Sequence, residues 1–300
     1  MPSNTSYNEK TQPTRTVSWA PPPPKRPRWK FCLGALLIPA LLAICLGGVF
    51  FLVGGRTNIL ILGLDSREPD SDLGRSDTMI LTTFFPRKPY LGMLSIPRDL
   101  WVNVPDYGED RINSAHFYAE AETPGSGPEA AMQTVRQNFG MDVDNYLRVR
   151  FDGFLDLVDL LGGVEIELAQ PMSGYPAGTH KLNGEQALAF VRDRAGSDDF
   201  FRMQRAQIFI KALWKELLDP AIWQQLPEIL PLVMEMVDTN VPVTKWPLMA
   251  ITLLRVGPEG IDARVITREM VHPFSTEGGA QVLRPNWEAI NPVLFEMFHE

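Results

Sequence analysis

The chain has 300 residues and a formal net charge of −8, from 28 Lys and Arg against 36 Asp and Glu. That acidic balance argues against non-specific binding to nucleic acid, which relies on cations that neutralise phosphates. The only cysteines, Cys32 and Cys45, share one apolar stretch, so the remainder of the chain offers neither a disulfide nor a thiol nucleophile.

Residues 1–30 are polar and rich in proline, with Pro21 to Pro24 in a row, and are expected to be a disordered tail. Phe31 to Gly55 follows with 25 residues and no charge. As a helix it would span roughly 37 Å at about 1.5 Å per residue, enough to cross a bilayer. Cleaved signal peptides have shorter apolar cores, about 7–15 residues, and a small-residue cleavage site, so a retained transmembrane signal-anchor is predicted. Lys25, Arg26, Arg28 and Lys30 precede the run and Arg56 alone follows it closely. The positive-inside bias therefore places 1–30 in the cytoplasm and 56–300 outside the cell membrane. Six cations against Glu9 give the tail a net +5, which leaves −13 for residues 56–300 out of the total of −8. An exported domain of that size without disulfides must rely on its core, and it is large enough to bury one. This suits a bacterial surface better than a eukaryotic secreted protein.

Three strands are predicted next, at Asn58–Leu64, Thr78–Phe85 and Tyr90–Ile96. The short Pro86-Arg87-Lys88-Pro89 link makes the second and third a hairpin. If the first strand also pairs antiparallel with the second, Asp65, Asp77 and Arg98 meet on one rim. Trp101–Pro128 reads as loop. Helices are predicted at Glu129–Phe139, stopped by Gly140, at Phe154–Leu161, stopped by Gly162-Gly163, and at Gly184–Arg192 and Phe201–Leu218. Further helices fall near Trp223–Val237, Pro247–Leu254 and Trp287–Phe298, with strands at Tyr146–Phe151, Val164–Leu168 and Ala263–Thr267. This interleaving predicts one α/β domain over 56–300, a mixed sheet with helices on both faces.

The candidate chemistry is carried by carboxylates and arginines. Two carboxylates on one rim repel unless a cation separates them, and hard oxygen ligands suit Mg²⁺ or Mn²⁺; each of Asp65 and Asp77 equally suits a turn cap. Asp70 and Asp72, between them, lack calcium-loop spacing and read as solvated. Arg75 and Arg98 flank the rim, and Arg192, Arg194, Arg202 and Arg205 form a second cluster. Arginine suits phosphate held in a bidentate fork. Arg202 and Arg205 lie at i, i+3 on one helix face, which on spacing alone better describes a solvated face paired with Asp198 and Asp199. Phe151, Phe154, Leu155 and Val158 read as core or as the wall of a lipid pocket. No G-x-S-x-G, S-x-x-K, H-E-x-x-H or glycine-rich phosphate loop occurs, and His116, His180, His272 and His299 are scattered. A reaction here would rest on metal and arginine stabilisation of charged oxygens.

In order, GLDSR, RSDTM, LSIPRD, RINSA, FDGFLDLVDLLGGV, LNGEQALAFVRDR and DFFRMQRAQ, behind a single N-terminal anchor, resemble the LytR-CpsA-Psr family from about Asn58 to Leu213. The resemblance implies a three-layer α-β-α sandwich. It also implies transfer of a teichoic-acid-like or capsular glycopolymer from a polyprenyl-pyrophosphate carrier to peptidoglycan. By the same resemblance Asp65 and Asp77 hold Mg²⁺, and Arg75, Arg98, Arg192, Arg194, Arg202 and Arg205 hold the pyrophosphate. Arg111 and Gln207 join that set. For such a transfer a carboxylate must take the acceptor's proton, and the sequence offers Asp65 and Asp99 without choosing between them. The polyprenyl chain is implied to lie in an apolar pocket, around Phe151, Phe154, Leu155 and Val158. Two positions depart from the family: Arg111 stands where Lys is usual, and Ala206 replaces the first glutamine of R-Q-Q. The alternatives are a lipid-pyrophosphate (pyro)phosphatase with water as acceptor, and a non-catalytic surface module that binds lipid-linked precursors and regulates the envelope.

Overall fold

Apolar runs long enough to be buried on both faces read as central strands, and Thr57–Leu64 (β1) and Ser76–Phe85 (β2) behave so, with almost every residue buried. The structure, a computed structural model, describes residues 54–64, 72–151, 153–193 and 199–299. The predicted tail, nearly all of the predicted anchor, Asp65 and Arg194 lie outside the described residues. Among the described residues no helix is long and apolar enough to cross a membrane.

β2 forms the predicted hairpin with Tyr90–Ile96 (β3), Phe85 facing Tyr90, and β1 pairs antiparallel with β2. Residues 101–128 are not the loop that was predicted. They hold a small hairpin of Trp101–Val104 (β4) and Gly108–Arg111 (β5), then a helix Ser114–Glu122 (α1). Helix Gly127–Phe139 (α2) ends as predicted, on Gly140 at φ +64°, where a side chain would be strained. Asn145–Arg150 (β6) runs parallel to β1 and leads into Phe154–Leu160 (α3). Val164–Leu168 (β7) stays out of the main sheet and forms a separate ribbon with Gly178–Leu182 (β8). Gly184–Arg192 (α4) starts on a capping box: Gln186 N donates to Asn183 Oδ1 at 2.9 Å, and Asn183 N to Gln186 Oε1 at 3.1 Å. Gly184 is required there, since a Cβ would lie 2.5 Å from the Leu155 carbonyl oxygen.

The long helix Asp199–Leu217 (α5) is followed by Leu226–Met236 (α6), the short strand Val237–Thr239 (β9) and helix Trp246–Val256 (α7). Asp262–Val265 (β10) then runs parallel to β3. A hairpin not predicted, Val271–Ser275 (β11) with Gln281–Pro285 (β12), precedes Trp287–Phe298 (α8). The main sheet is mixed, in the order β10-β3-β2-β1-β6-β9. Successive side chains of a strand point to opposite faces. Leu60, Leu62, Leu81 and Leu94 accordingly pack under α2 and α8, while Ile59, Ile80 and Met93 face α5 and α7. The expected helices on both faces of a mixed sheet are therefore present.

Candidate functional site

The register of the three central strands builds one rim. Leu64 pairs with Ser76 and Ile96 with Met79, so Asp77 near the start of β2 lies beside Arg98, two residues beyond β3. Arg98 Nη1 donates to Asp77 Oδ1 at 2.7 Å. Two of the three residues expected on this rim thus meet; Asp65 lies outside the described residues.

The N-terminal turns of α5 close over the pair. Arg202 Nη2 donates to the Asp77 carbonyl at 2.8 Å and its guanidinium pairs with Asp199. Asp199 also lies 3.4 Å from Arg98 Nε. Asp99 sits 3.6 Å from Arg98 Nε and 3.0 Å from Arg111 Nε, while Arg111 Nη2 donates to the Gln281 carbonyl of β12. Burial pushes the Asp199 carboxyl upward, and the guanidiniums of Arg202 and Arg98 pull against that without cancelling it. Burial alone would lower Arg98, but its hydrogen bond to Asp77 and the charges of Asp199 and Asp99 carry it above the ordinary arginine value. Arg202 is buried, so the alternative of a solvated helix face does not describe it.

The other expected ligands are placed differently. Arg75 and Arg192 are exposed and stack over aromatic rings, Arg75 5.9 Å from the centroid of Phe117 and Arg192 5.3 Å from that of Phe151. Arg205 is buried and donates to the Asp193 carbonyl, and burial lowers its pKa. Gln207 is not brought to the rim. Its buried amide donates to Ser95 Oγ at 2.9 Å and to the Arg264 carbonyl, tying α5 to β3 and β10. Arg194 lies outside the described residues.

Some participants were not singled out from the sequence. Asp199 was visible only as a surface partner of Arg202, although its i, i+3 spacing was the signal that finds it. Arg148, buried in β6, pairs with Asp72 at 2.9 Å, Asp238 at 2.8 Å and Glu120 at 3.4 Å. Asp72 is therefore tied down rather than merely solvated, and holds the chain just before β2.

An apolar cavity of about 330 Å³ adjoins the rim, within reach of the roughly 300–1,000 Å³ usual for ligand pockets. Ile61, Thr78 and Val149 of the sheet, Phe154 and Leu157 of α3, and Ala206 and Phe209 of α5 are among its walls, and Thr78 is its one polar side chain among the described residues. Of the four residues expected at a lipid pocket, Phe151 and Phe154 line it. Leu155 and Val158 do not. The turn of α3 carries Leu155 to the side where Gly184 approaches and Val158 into the fully buried cluster with Val164 and Ile166; Leu157 takes the cavity position.

Among the described residues no group of three or more His, Cys, Asp or Glu is arranged to hold a metal. Asp77 nevertheless offers hard, partly exposed carboxylate oxygen, with the Asp199 carboxylate held nearby by the same Arg98 and Arg202. This donor chemistry fits Mg²⁺ or Mn²⁺ at Asp77, with Asp65 as the expected second ligand.

Comparison with known proteins agrees with this construction. A profile of the LytR_cpsA_psr family matches residues 51–291. The polyisoprenyl-teichoic acid–peptidoglycan teichoic acid transferase TagU of Oceanobacillus iheyensis is 34% identical over 259 residues, covering 74% of this chain and 80% of that protein. TagT of Bacillus subtilis, a transferase with the same description, is 34% identical over 171 residues, about half of each protein (52% and 51%). The crystal structure of B. subtilis TagV superposes with a TM-score of 0.64 at 26% identity, over 82% of this chain and 98% of that one. The chain belongs to the LytR-CpsA-Psr family.

Proposed function

We propose that this protein is a phosphotransferase that moves a glycopolymer from a polyprenyl-pyrophosphate carrier to peptidoglycan during cell wall assembly. That it is a transferase follows from its family and from the activity named for its relatives. The observation that supports the substrate class is the junction of a guanidinium-rich rim with an apolar cavity. Thr78 lines the cavity and follows Asp77; Ala206 lines it one helical turn beyond Arg202; Phe151 lines it beneath Arg192. A charged pyrophosphate on a hydrocarbon tail matches both halves, whereas a soluble sugar phosphate would leave the cavity without a role.

On this reading the exposed Arg75 and Arg192, together with Arg98 and Arg111, partly exposed at the rim, grip the phosphate oxygens. A hydroxyl of the acceptor sugar attacks the phosphorus that carries the glycan. The new phosphorus–oxygen bond forms as the bond to the bridging oxygen breaks, and polyprenyl phosphate leaves with that electron pair. The hydroxyl proton passes to a carboxylate, Asp65 or Asp99; Arg111 and Arg98 fix Asp99 in place. Asp65 and Asp77 would hold Mg²⁺ or Mn²⁺, which would supply Lewis-acid neutralisation of the phosphate charge. The apolar run 31–55 anchors the domain outside the cell membrane, where a lipid-borne donor is confined.

The test is to incubate the protein with a lipid-pyrophosphate-linked glycan, Mg²⁺ and peptidoglycan fragments, comparing wild type with Asp77→Ala and Arg98→Ala. A glycan–phosphate adduct on peptidoglycan, lost in both variants and on chelation, is the expected result. Free sugar phosphate alone would establish hydrolysis instead, and binding without turnover would establish a non-catalytic module. Activity that survives chelation and both substitutions would overturn the mechanism.

A further inference from the structure

A second cleft opens on the other flank of the same rim. Its volume is about 280 Å³, and it is lined by Phe200, Phe201 and Gln204 of α5 and by Thr267, Arg268 and Glu269. The last three follow β10, with Ile266 between. Val265 pairs with Ser95, and Ile266 N donates to the Ser95 carbonyl, so Thr267–Glu269 emerge alongside the chain that leads from β3 to Arg98. Phe200 and Phe201 adjoin Asp199, which lies 3.4 Å from Arg98 Nε.

The order of the strands sets the geometry. Residues of β1, β2 and β6 line the apolar cavity, whereas the cleft is reached from β10 at the opposite edge. Asp77 on β2 and Arg98 beyond β3 stand between the two. With neighbouring strands about 4.8 Å apart, β10 is roughly 10 Å from β2, close enough for a group seated in the cleft to reach a phosphorus held at Asp77 and Arg98. Displacement at phosphorus places the attacking and leaving oxygens roughly in line, on opposite sides. If the leaving polyprenyl phosphate extends toward the cavity, the nucleophile arrives from the β10 side.

The lining fits a sugar. Phe201 is partly exposed and offers an apolar face to the C–H face of a pyranose ring. Arg268 lies 5.6 Å and 5.7 Å from the ring centroids of Phe200 and Phe201 and so spreads its donors over the same surface. Gln204, Thr267 and Glu269 add an amide, a hydroxyl and a carboxylate, the mixture that hydroxyl groups need. A volume near the lower end of the usual ligand range suits a ring-sized group. We infer that this cleft is the acceptor subsite, seating the sugar ring of peptidoglycan whose hydroxyl attacks the donor. The inference rests on the transferase reading given above.

The experiment is a two-substrate titration of the full chain in detergent or vesicles, with Mg²⁺, a lipid-pyrophosphate-linked glycan and soluble peptidoglycan fragments. Wild type is compared with Phe201→Ala, Thr267→Val and Phe201→Tyr, and thermal unfolding of each variant verifies its fold. The acceptor KM is expected to rise about tenfold in Phe201→Ala and several-fold in Thr267→Val, with the donor KM moving less than twofold, and Phe201→Tyr to restore the wild-type acceptor KM. A rise in donor KM at constant acceptor KM would assign the cleft to the donor glycan and overturn the inference, as would unchanged constants for both. A wild type that uses only water as acceptor removes the transferase reading, and the inference with it.

Discussion

Replacing Arg202 by Met tests whether the arginines of α5 are buried structural partners of the rim or a solvated face. Arg202 is 8% exposed and bonds the Asp77 carbonyl while pairing with Asp199. Removing one partner of a buried pair costs about 3–5 kcal/mol, because the remaining charge stays buried. Arg98, 3.4 Å away, still faces Asp199, so the lower end applies, about 3 kcal/mol. At about 2–4 °C per kcal/mol for a domain of this size, Tm should fall by roughly 6–12 °C. Adding Asp199→Leu removes the stranded carboxylate, and the double variant should recover about 2 kcal/mol as coupling energy. The sign with pH follows from burial. Asp199 is already raised above 3.8, the ordinary carboxylate value, and without Arg202 it rises further. A raised carboxyl contributes stability that is present below the unfolded-state value and lost as pH climbs through the folded one. The deficit of Arg202→Met should therefore shrink on acidification from pH 7 toward pH 4. Urea unfolding of Arg202→Met, Asp199→Leu and the double variant at both pH values measures all of this. A single-variant cost under 1 kcal/mol, or strictly additive costs, would show the pair to be solvated and refute the argument.

Asp77→Asn keeps the shape of the rim but removes the charge that Arg98 meets at 2.7 Å; transfer should fall about 10²-fold or more, measured as adduct formed on peptidoglycan with far-UV spectra unchanged. Leu157→Trp intrudes on the cavity wall, so kcat/KM for a long-chain polyprenyl donor should drop at least tenfold while a donor with a very short chain is affected less than threefold. Gly184→Ala sets a Cβ 2.5 Å from the Leu155 carbonyl oxygen; overpacking of this kind costs about 1–3 kcal/mol, and denaturant midpoints that match wild type would contradict the close approach. Gln207→Leu strands Ser95 Oγ and the Arg264 carbonyl, costing about 1–3 kcal/mol; a loss confined to donor KM, with stability intact, would return Gln207 to the pyrophosphate.

The part of the fold legible in the sequence was the part governed by local rules. Tight links and glycines set β2–β3 and the ends of α2 and α3, and the hairpin brought Asp77 to Arg98. α1 was missed because it buries His116 and Glu120, polar residues that erase the apolar period a helix usually displays. These two belong with the buried Arg148, whose pairing partners lie 28 residues back at Glu120 and 90 residues on at Asp238. No local pattern reveals a network of that span. β7 shows the complementary failure: its alternation is that of a half-buried strand, but the partner that decides which sheet it joins lies ten residues downstream in β8. The same limit applied to the site. Spacing placed Arg202 and Arg205 on one helix, yet only the packing of α5 shows Arg202 bonded to Asp77 at the rim and Arg205 to Asp193.

Charge at the rim links these observations to the proposed chemistry. Among the described residues, Asp77, Asp99 and Asp199 face Arg98, Arg111 and Arg202, three charges of each sign, so this part of the network is formally neutral. Neutrality lets it be partly buried at tolerable cost, because charges removed from water are compensated nearby. It also means that these three guanidiniums bring orientation and hydrogen bonds to a pyrophosphate without bringing net positive charge. On the proposed mechanism, compensation of the diphosphate would fall to Arg75, Arg192 and a divalent cation at Asp77. Chelation should therefore weaken donor binding as well as turnover, and should do so more steeply in Arg192→Gln than in wild type. Equal dependence on Mg²⁺ in both proteins would mean that Arg192 plays no part in balancing the phosphate charge.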